Sequence, residues 1–447
     1  MKYDAIVVGG GISGLLSALA LSKEGKKVIM FEKNSYIGGN VRSYDVDGYT
    51  VDTGPHAITE IQKGPLTRLM KMYGDGMPEM VSHRTYYFRT KDGLYPVPAS
   101  IEKLLKFNAI SAKDKLIFSK VLTSEIIKGT IPNNNANQCM YDIIKNHDIS
   151  ENALKLVDTL CYFLSGTSMK ETPSKRMFAG FSMEGINGLG IIDCCYALKR
   201  LFIAHNVSKG QMYPKGGVGK ITSAIVDSFP EDMVDIVTKT PVEKIIIEDG
   251  KAVGVECYGE IYNSDIIVYT GFVKDLGQFV DEKMPPKFEG KLKKIKQAKS
   301  YTLWLGLKEK LFEMDYMGSE IWFESGEPFW AMPTSNLDES LAPYGKQLVA
   351  FTFIVREDNL KKTKKNAWDT ITSVFPDIES KIEMKHEQVT IPEKAAITVD
   401  SFFSGPCSPF ENLYLAGTDT DPRSMGITRA AYSVEEMLKV LKSKELI

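Results

Sequence analysis

Glycines at positions 9, 11 and 14 follow the apolar run Tyr3 to Val8 and precede Leu15, Leu16, Leu19 and Ala20 at helical spacing. Glycines in this GxGxxG pattern cradle a pyrophosphate. The first permits a tight bend, the second lets the backbone approach the phosphates, and the third lets the helix pack on the strand. The first helical turn, around Ile12 and Ser13, then offers free N–H groups and the positive end of the helix dipole. A carboxylate is needed further on to accept hydrogen bonds from ribose hydroxyls, and Glu32, followed by Lys33, ends the next apolar run, Lys27 to Phe31. A glycine turn alone is weak evidence, since such turns also form for structural reasons. Here Ala18, Gly25 and Glu32 agree with it, and a dinucleotide site is the better reading. A second glycine pair, Gly38 and Gly39, follows with Asn40, Arg42 and Ser43, and Arg42 supplies a fixed cation for the pyrophosphate.

These residues need elements to hold them. Strand, glycine turn, helix and strand within the first thirty-odd residues make a βαβ unit. From Thr85 to about Gly210 the texture predicts helices rich in Lys, Leu, Ile and Met, broken by a loop from Pro132 to Asn137. Strand patterns return at Val242–Glu248, Ala252–Cys257 and Asp265–Tyr269, with Glu248-Asp249-Gly250 as a hairpin turn. Tyr301–Leu307, Ile321–Phe323 and Gln347–Val355 read as a second sheet. Strand, glycine and helix recur at Leu413–Ala416 and from about Ile427 to Leu441. The expected fold is α/β. A Rossmann-type domain is assembled from residues 1–84, 211–271 and 405–447, and a substrate domain combines a helical lobe (85–210) with a mixed or antiparallel sheet (272–404).

With Gly38, Gly39 and Arg42 after Glu32, the chain resembles the FAD superfamily of amine oxidases, protoporphyrinogen oxidases and phytoene desaturases. The resemblance continues through Asp52-Thr53-Gly54-Pro55-His56, Pro214-Lys215-Gly216-Gly217, Pro241-Val242, Leu415-Ala416-Gly417 with Asp419, and Met425-Gly426-Ile427. It implies FAD as cofactor, with Gly54, Pro55 and His56 beside the flavin ring and the Val242 backbone on adenine. It further implies Gly417 and Asp419 at the ribityl and pyrophosphate part, and Met425 to Ile427 facing the flavin pyrimidine. A helix N-terminus there stabilises negative charge gained on reduction. No cysteine stands near the last motif to bond the flavin, so the expected FAD is non-covalent.

His56 is the candidate acid/base because it titrates near neutrality, and a structural histidine is the alternative. Arg423 and Arg429 flank the last helix start and suit a phosphate or a surface role. The form of the Asp52–His56 and Pro214–Gly217 segments is similar to phytoene desaturase-like enzymes, which implies carbon–carbon dehydrogenation, saturation or isomerisation of a lipophilic, isoprenoid-like substrate. Porphyrinogen or amine oxidation is the alternative. Alignment on Lys308-Glu309 puts Thr302 where amine oxidases carry a lysine, which weakens the amine reading. A non-catalytic FAD-bound carrier of lipid or protein is the alternative of another class. Trp322, Phe323, Phe329, Trp330, Met332, Phe351, Phe353, Phe402 and Phe403 suit an apolar cavity or a plain core.

A net charge of −2 removes the case for nucleic acid as a partner. Six scattered cysteines, without metal-ligand spacing, fit reduced thiols and a cytoplasmic chain with no metal. No run of about 18 apolar residues occurs, so a spanning helix is not expected. Lys287, Lys291, Lys293, Lys294, Lys296 and Lys299, and the Ile101–Lys106 helix, leave a peripheral membrane contact open, with a solvated face as the default. Without a second dinucleotide motif, electrons are expected to pass to a separate acceptor such as a quinone, oxygen or another carrier.

Overall fold

The computed structural model describes residues 3–98, 100–129, 138–174, 176–177, 210–313, 316–356 and 359–447. Five strands form a parallel sheet in the order β19 (Leu413–Leu415), β13 (Ile267–Tyr269), β1 (Ala5–Val8), β2 (Val28–Phe31) and β9 (Val234–Val237). β1, β2, β13 and β19 are buried on both faces, which is why they read as continuous apolar runs rather than alternating ones. Ala5, Val7, Val28 and Met30 point to one side, where the helices Ile12–Lys23 and Gly426–Ser443 pack on each other. Ile6, Ile29 and Ile267 point to the other side and meet a three-stranded antiparallel sheet of β10 (Lys244–Glu248), β11 (Lys251–Cys257) and β12 (Glu260–Asn263). The β10–β11 turn has Asp249 and Gly250 both at positive φ (50° and 76°), the two-residue geometry expected of Asp-Gly.

The larger sheet has the order β18 (Ile382–Glu393), β14 (Ala298–Leu307), β17 (Gln347–Ile354), β16 (Phe329–Met332), β15 (Gly318–Trp322), β6 (Thr85–Thr90) and β7 (Gly93–Pro96). It is mixed, as the β15–β6 pair is parallel among antiparallel neighbours. Its far end corrects the expectation of helix from residue 85. Thr85-Tyr-Tyr-Phe-Arg-Thr is rich in aromatic and β-branched residues and folds with Gly93–Pro96 as a hairpin. Helices follow at Ile101–Leu105, Ala112–Gly129, Met140–Ile144 and Glu151–Ser165. The expected loop Pro132–Asn137 and the stretch 178–209, with Cys194 and Cys195, lie outside the described residues. Two antiparallel pairs complete the order: the hairpin of β3 (Ser43–Val46) with β4 (Tyr49–Asp52), and the long-range pair of β5 (Met80–Ser82) with β8 (Met212–Pro214).

Register sorts the aromatic residues of this sheet. Trp322, Phe329, Phe351 and Phe353 share one face with Tyr301, Leu303 and Leu305, and Ala367 and Ile371 of the helix Leu360–Val374 cover them. They are core, and not the wall of a cavity. Phe402 and Phe403 pack beside the three-stranded sheet. The opposite face carries Trp304, Met332 and Met384, which join the core of the parallel-sheet side, and Ile321 and Phe88, which join Phe323 under the helical part. Trp330 touches both groups.

Candidate functional site

The sites read from the sequence converge on the C-terminal ends of β1 and β2, where ligands of open parallel sheets bind. Gly9 holds φ +106°, a conformation that favours glycine, and a Cβ there would stand 2.6 Å from Thr270 Oγ1. A Cβ on Gly14 would stand 2.0 Å from the Gly9 carbonyl oxygen, so only glycine lets the helix Ile12–Lys23 start so close to the strand. Gly11 differs, because its missing Cβ would meet nothing within 4 Å. It caps the helix with no side-chain hydrogen bond, and no acidic residue stands in the first turn. Ile12 and Ser13 therefore sit at a helix N-terminus with an uncompensated positive end.

The second glycine turn abuts the first. Gly38 N–H donates to the Gly10 carbonyl at 2.7 Å, and a Cβ on Gly39 would lie 3.3 Å from Gly11 Cα. Glu32 is buried at the end of β2, accepting from Gly10 N–H (2.7 Å) and from the Asn34 backbone and side-chain N–H groups (both 2.8 Å). A carboxylate has about four acceptor sites, so room for a further donor is left. Thr240 N–H donates to the Glu32 carbonyl, which brings the segment leading to buried Val242 to this side. The Lys33 side chain is exposed. Asn40 donates through Nδ2 to the Ile391 carbonyl (2.8 Å). Arg42 is stacked between Tyr36 (3.9 Å) and Tyr44 (4.5 Å), and lines a cleft of about 340 Å³ with Ser43, Gly216 and Lys220.

Ser43 is engaged inside the protein: its hydroxyl donates to Asp52 Oδ1 (2.6 Å) and accepts from Gly219 N–H (2.8 Å). Asp52 is fully buried and also accepts from Tyr213 OH (2.6 Å) and Val218 N–H (3.1 Å). It therefore ties the β3–β4 hairpin to the Gly216–Gly217 turn. Gly54, at φ +77°, Pro55 and His56 follow. His56 Nε2 donates to the Thr53 carbonyl at 3.2 Å. Burial lowers its pKa, while Asp52 and the backbones of Thr53 and Asn40 oppose the shift.

The returning segment closes the site. Gly417 N–H donates to Ser433 Oγ (2.9 Å). Asp419 is fully buried, and its Oδ2 accepts from Val273 N–H (2.7 Å) while Oδ1 has no partner. Burial raises the Asp419 pKa, against which Lys394 acts most strongly. Met425, Gly426 and Ile427 open the last helix, and there Gly426 N–H donates to Glu393 Oε1. Arg429, fully buried, donates to Glu393 Oε2 (2.8 Å) and to the carbonyls of Ala395 (3.0 Å) and Ser424 (2.9 Å). Arg423 pairs with Asp421 and Glu436. Neither arginine is a free cation.

Sequence reasoning missed Gln388, Glu393 and Lys394, all on or just after β18. Gln388 Oε1 accepts from Gly54 N–H (2.9 Å) and Trp304 Nε1–H (3.2 Å), and its Nε2 donates to Tyr44 OH and the Asp52 carbonyl (both 2.7 Å). This one amide fixes the Asp52–His56 segment against the larger sheet. Thr390 and Ser300 share a hydrogen bond (2.9 Å), as do Thr302 and Thr352 (3.1 Å), on the same face. A Cβ on Gly54 would be 4.0 Å from Thr390 Oγ1.

The donor set fits FAD. Gly11 leaves open space before a helix N-terminus, and Asp419 keeps a buried acceptor without a partner. The family model described as flavin containing amine oxidoreductase matches residues 12–432. A prolycopene isomerase of Daucus carota is 26% identical, over 97% of this chain and 78% of its own. A zeta-carotene-forming phytoene desaturase of Myxococcus xanthus is 24% identical, over 93% and 90%. The crystal structure of an oxidoreductase from Methanosarcina mazei has a TM-score of 0.78 at 20% identity, covering 98% of this chain and all of its own, and shows the shared fold.

Proposed function

This chain belongs to the flavin containing amine oxidoreductase family and is an FAD-dependent oxidoreductase; from that premise we propose that it acts on carbon–carbon bonds of a lipophilic, isoprenoid-like substrate. The carotenoid substrates in the names of its relatives support this reading. The observation that carries it is Thr302, whose hydroxyl is spent on Thr352 (3.1 Å) at the place where the resemblance puts the lysine of amine oxidases. The row Ser300, Thr302, Thr352 and Thr390 is uncharged and paired within itself, so it offers no group to activate an amine. Bound FAD supplies a hydride acceptor. The chain's own part is to hold the pyrophosphate at Gly9 to Gly14 and Gly38 to Gly39, and to keep Gly54 to His56 in register through Gln388. The larger sheet closes the other side. His56, with its neutral form favoured by burial, is the group that would hold or take a proton there.

The electron acceptor in this reading is a separate carrier; of the lysines of residues 287–299, Lys293 pairs with Glu289 and Lys296 with Glu171, which supports a solvated face over a peripheral membrane contact. Among the described residues no helix is long and apolar enough to cross a membrane. Anaerobic titration of the purified yellow protein tests the function. Carotenoid-type polyenes are expected to change the flavin spectrum or to leave as isomerised or desaturated product, and amines to leave the flavin oxidised. Bleaching by amines alone overturns the reading.

A further inference from the structure

We propose that Tyr44 and His386 are positioning residues for the reaction: they hold the Gln388 amide, and through it the Gly54–His56 segment, only while His386 is neutral. The place of that segment beside the flavin rests on the FAD reading above. The hydrogen bonds run in one direction, and donor chemistry fixes it. Gln388 Oε1 takes two groups that can only donate, Gly54 N–H (2.9 Å) and Trp304 Nε1–H (3.2 Å). Its Nε2 therefore points the other way, and spends one hydrogen on the Asp52 carbonyl and one on the Tyr44 oxygen (both 2.7 Å). Tyr44 must then place its own hydrogen elsewhere. Among the described residues the acceptor within reach is His386 Nε2, 2.8 Å away. So Nε2 carries no proton there, and the ring is neutral with its hydrogen on Nδ1.

Protonation of His386 undoes this order. Nε2 becomes a donor, two donors then face the Tyr44 oxygen, and the phenol hydrogen loses its acceptor. Gln388 is left without a fixed partner on that side, and its hold on Gly54 weakens. His386 is half-buried and open to a proton, whereas Gln388 and Trp304 are buried. Around the ring stand Tyr44 of β3, edge-on with ring centroids 5.6 Å apart, and Trp304 across the ladder on β14, with Arg42 over the Tyr44 ring at 4.5 Å. Lys385 and Glu387 alternate to the other face of β18, where the helix Leu360–Val374 brings Trp368 to the first and Lys364 to the second. Glu387 favours the proton, burial opposes it more strongly, and the His386 pKa lies below its ordinary 6.5.

Amide exchange at Gly54 reads the hold directly. It is followed by mass spectrometry in the FAD-loaded protein and corrected for the intrinsic pH dependence of exchange. The wild type is expected to lose about fivefold in protection between about pH 8 and pH 5, the order of one hydrogen bond. Tyr44→Phe lacks the hydroxyl and should show the low protection throughout. His386→Gln offers an amide oxygen that accepts the Tyr44 hydrogen and takes up no proton, so it should keep the high protection down to pH 5. A purely structural role would instead give each variant the same loss at every pH. Wild-type protection without a pH step, or a step that His386→Gln retains, overturns the proposal. The flavin absorption of the same samples should move over the same window, and exchange that steps beneath an unmoved spectrum refutes a role at the flavin. Wild-type protein that takes up no FAD removes the underlying reading, a failure seen before any variant is made.

Discussion

Two helix N-termini in this molecule treat their positive ends in opposite ways. The helix Ile12–Lys23 begins at Gly11 with no cap, no acidic first turn and open space in front. The helix Gly426–Ser443 begins against the Glu393 carboxylate, which Arg429 holds from the other side. The first end is left for an anion from outside. The second is satisfied by the chain itself, so whatever it offers the flavin is the field of a Gly426–Glu393–Arg429 unit and not of a bare dipole. Substitutions at the first end should therefore cost binding and spare the fold, and those at the second should cost the fold.

Gly11→Val sharpens the contrast most. It places a branched side chain where the pyrophosphate must approach, and should weaken FAD binding by more than about a hundredfold. Because nothing lies within 4 Å of the new Cβ, the thermal midpoint of the apoprotein should stay put. Retained stoichiometric flavin would move the site elsewhere. Arg429→Met examines the other end: it strands the Glu393 carboxylate and should lower stability by about 3 kcal/mol or more, read as a shift of the urea midpoint. An unchanged midpoint with altered flavin affinity would break the comparison by making both ends ligand sites.

The smallest effect concerns a group that belongs to neither end. His83 is fully buried, bonds Ser319 Oγ through Nε2 (2.7 Å), and burial drives its pKa down to about 4. The unfolded chain takes up the proton near pH 6.5 and the folded one resists until about 4. Its contribution is thus fully present above pH 6.5 and is lost as pH falls toward 4, by up to about 3 kcal/mol. Acid unfolding followed by circular dichroism should flatten over that window in His83→Gln. An identical acid limb in the two proteins would assign the loss to other groups.

The Gly9–Gly14 turn was legible because backbone conformation dictates it: Gly9 needs positive φ and Gly14 tolerates no Cβ, and only one residue type meets such demands. The apolar runs of the parallel sheet were legible for a similar reason, burial on both faces. β18 was not. Lys385, His386, Glu387 and Gln388 stand in a row, two of the four exposed, and carry no motif, so the inward partners Gln388 and Glu393 stand out only once β14 is laid beside them. Lys394 next to Glu393 looks like an ordinary charged pair, and its electrostatic influence from Asp419, 25 residues on, has no periodic signature. The aromatic residues left two readings open, cavity or core, and for Trp322, Phe329, Phe351 and Phe353 the structure takes the second. Phe351 and Phe353 are two apart on one strand, and period two already assigns them to a common face, but not to which face.

The order of strands in the parallel sheet bears on how the protein is made. β1 lies between β2 and β13, and β13 finds its outer neighbour only in Leu413–Leu415, so local pairing cannot finish the sheet during synthesis. Such high contact order makes for slow folding and leaves the edge of β13 open to wrong pairing until the late segment arrives. That same segment carries Gly417 and Asp419. On the proposed flavin contacts of Gly417 and Asp419, a nascent chain supplied with FAD would gain those contacts and its last strand in one event, which would make cofactor supply a determinant of yield as well as of activity.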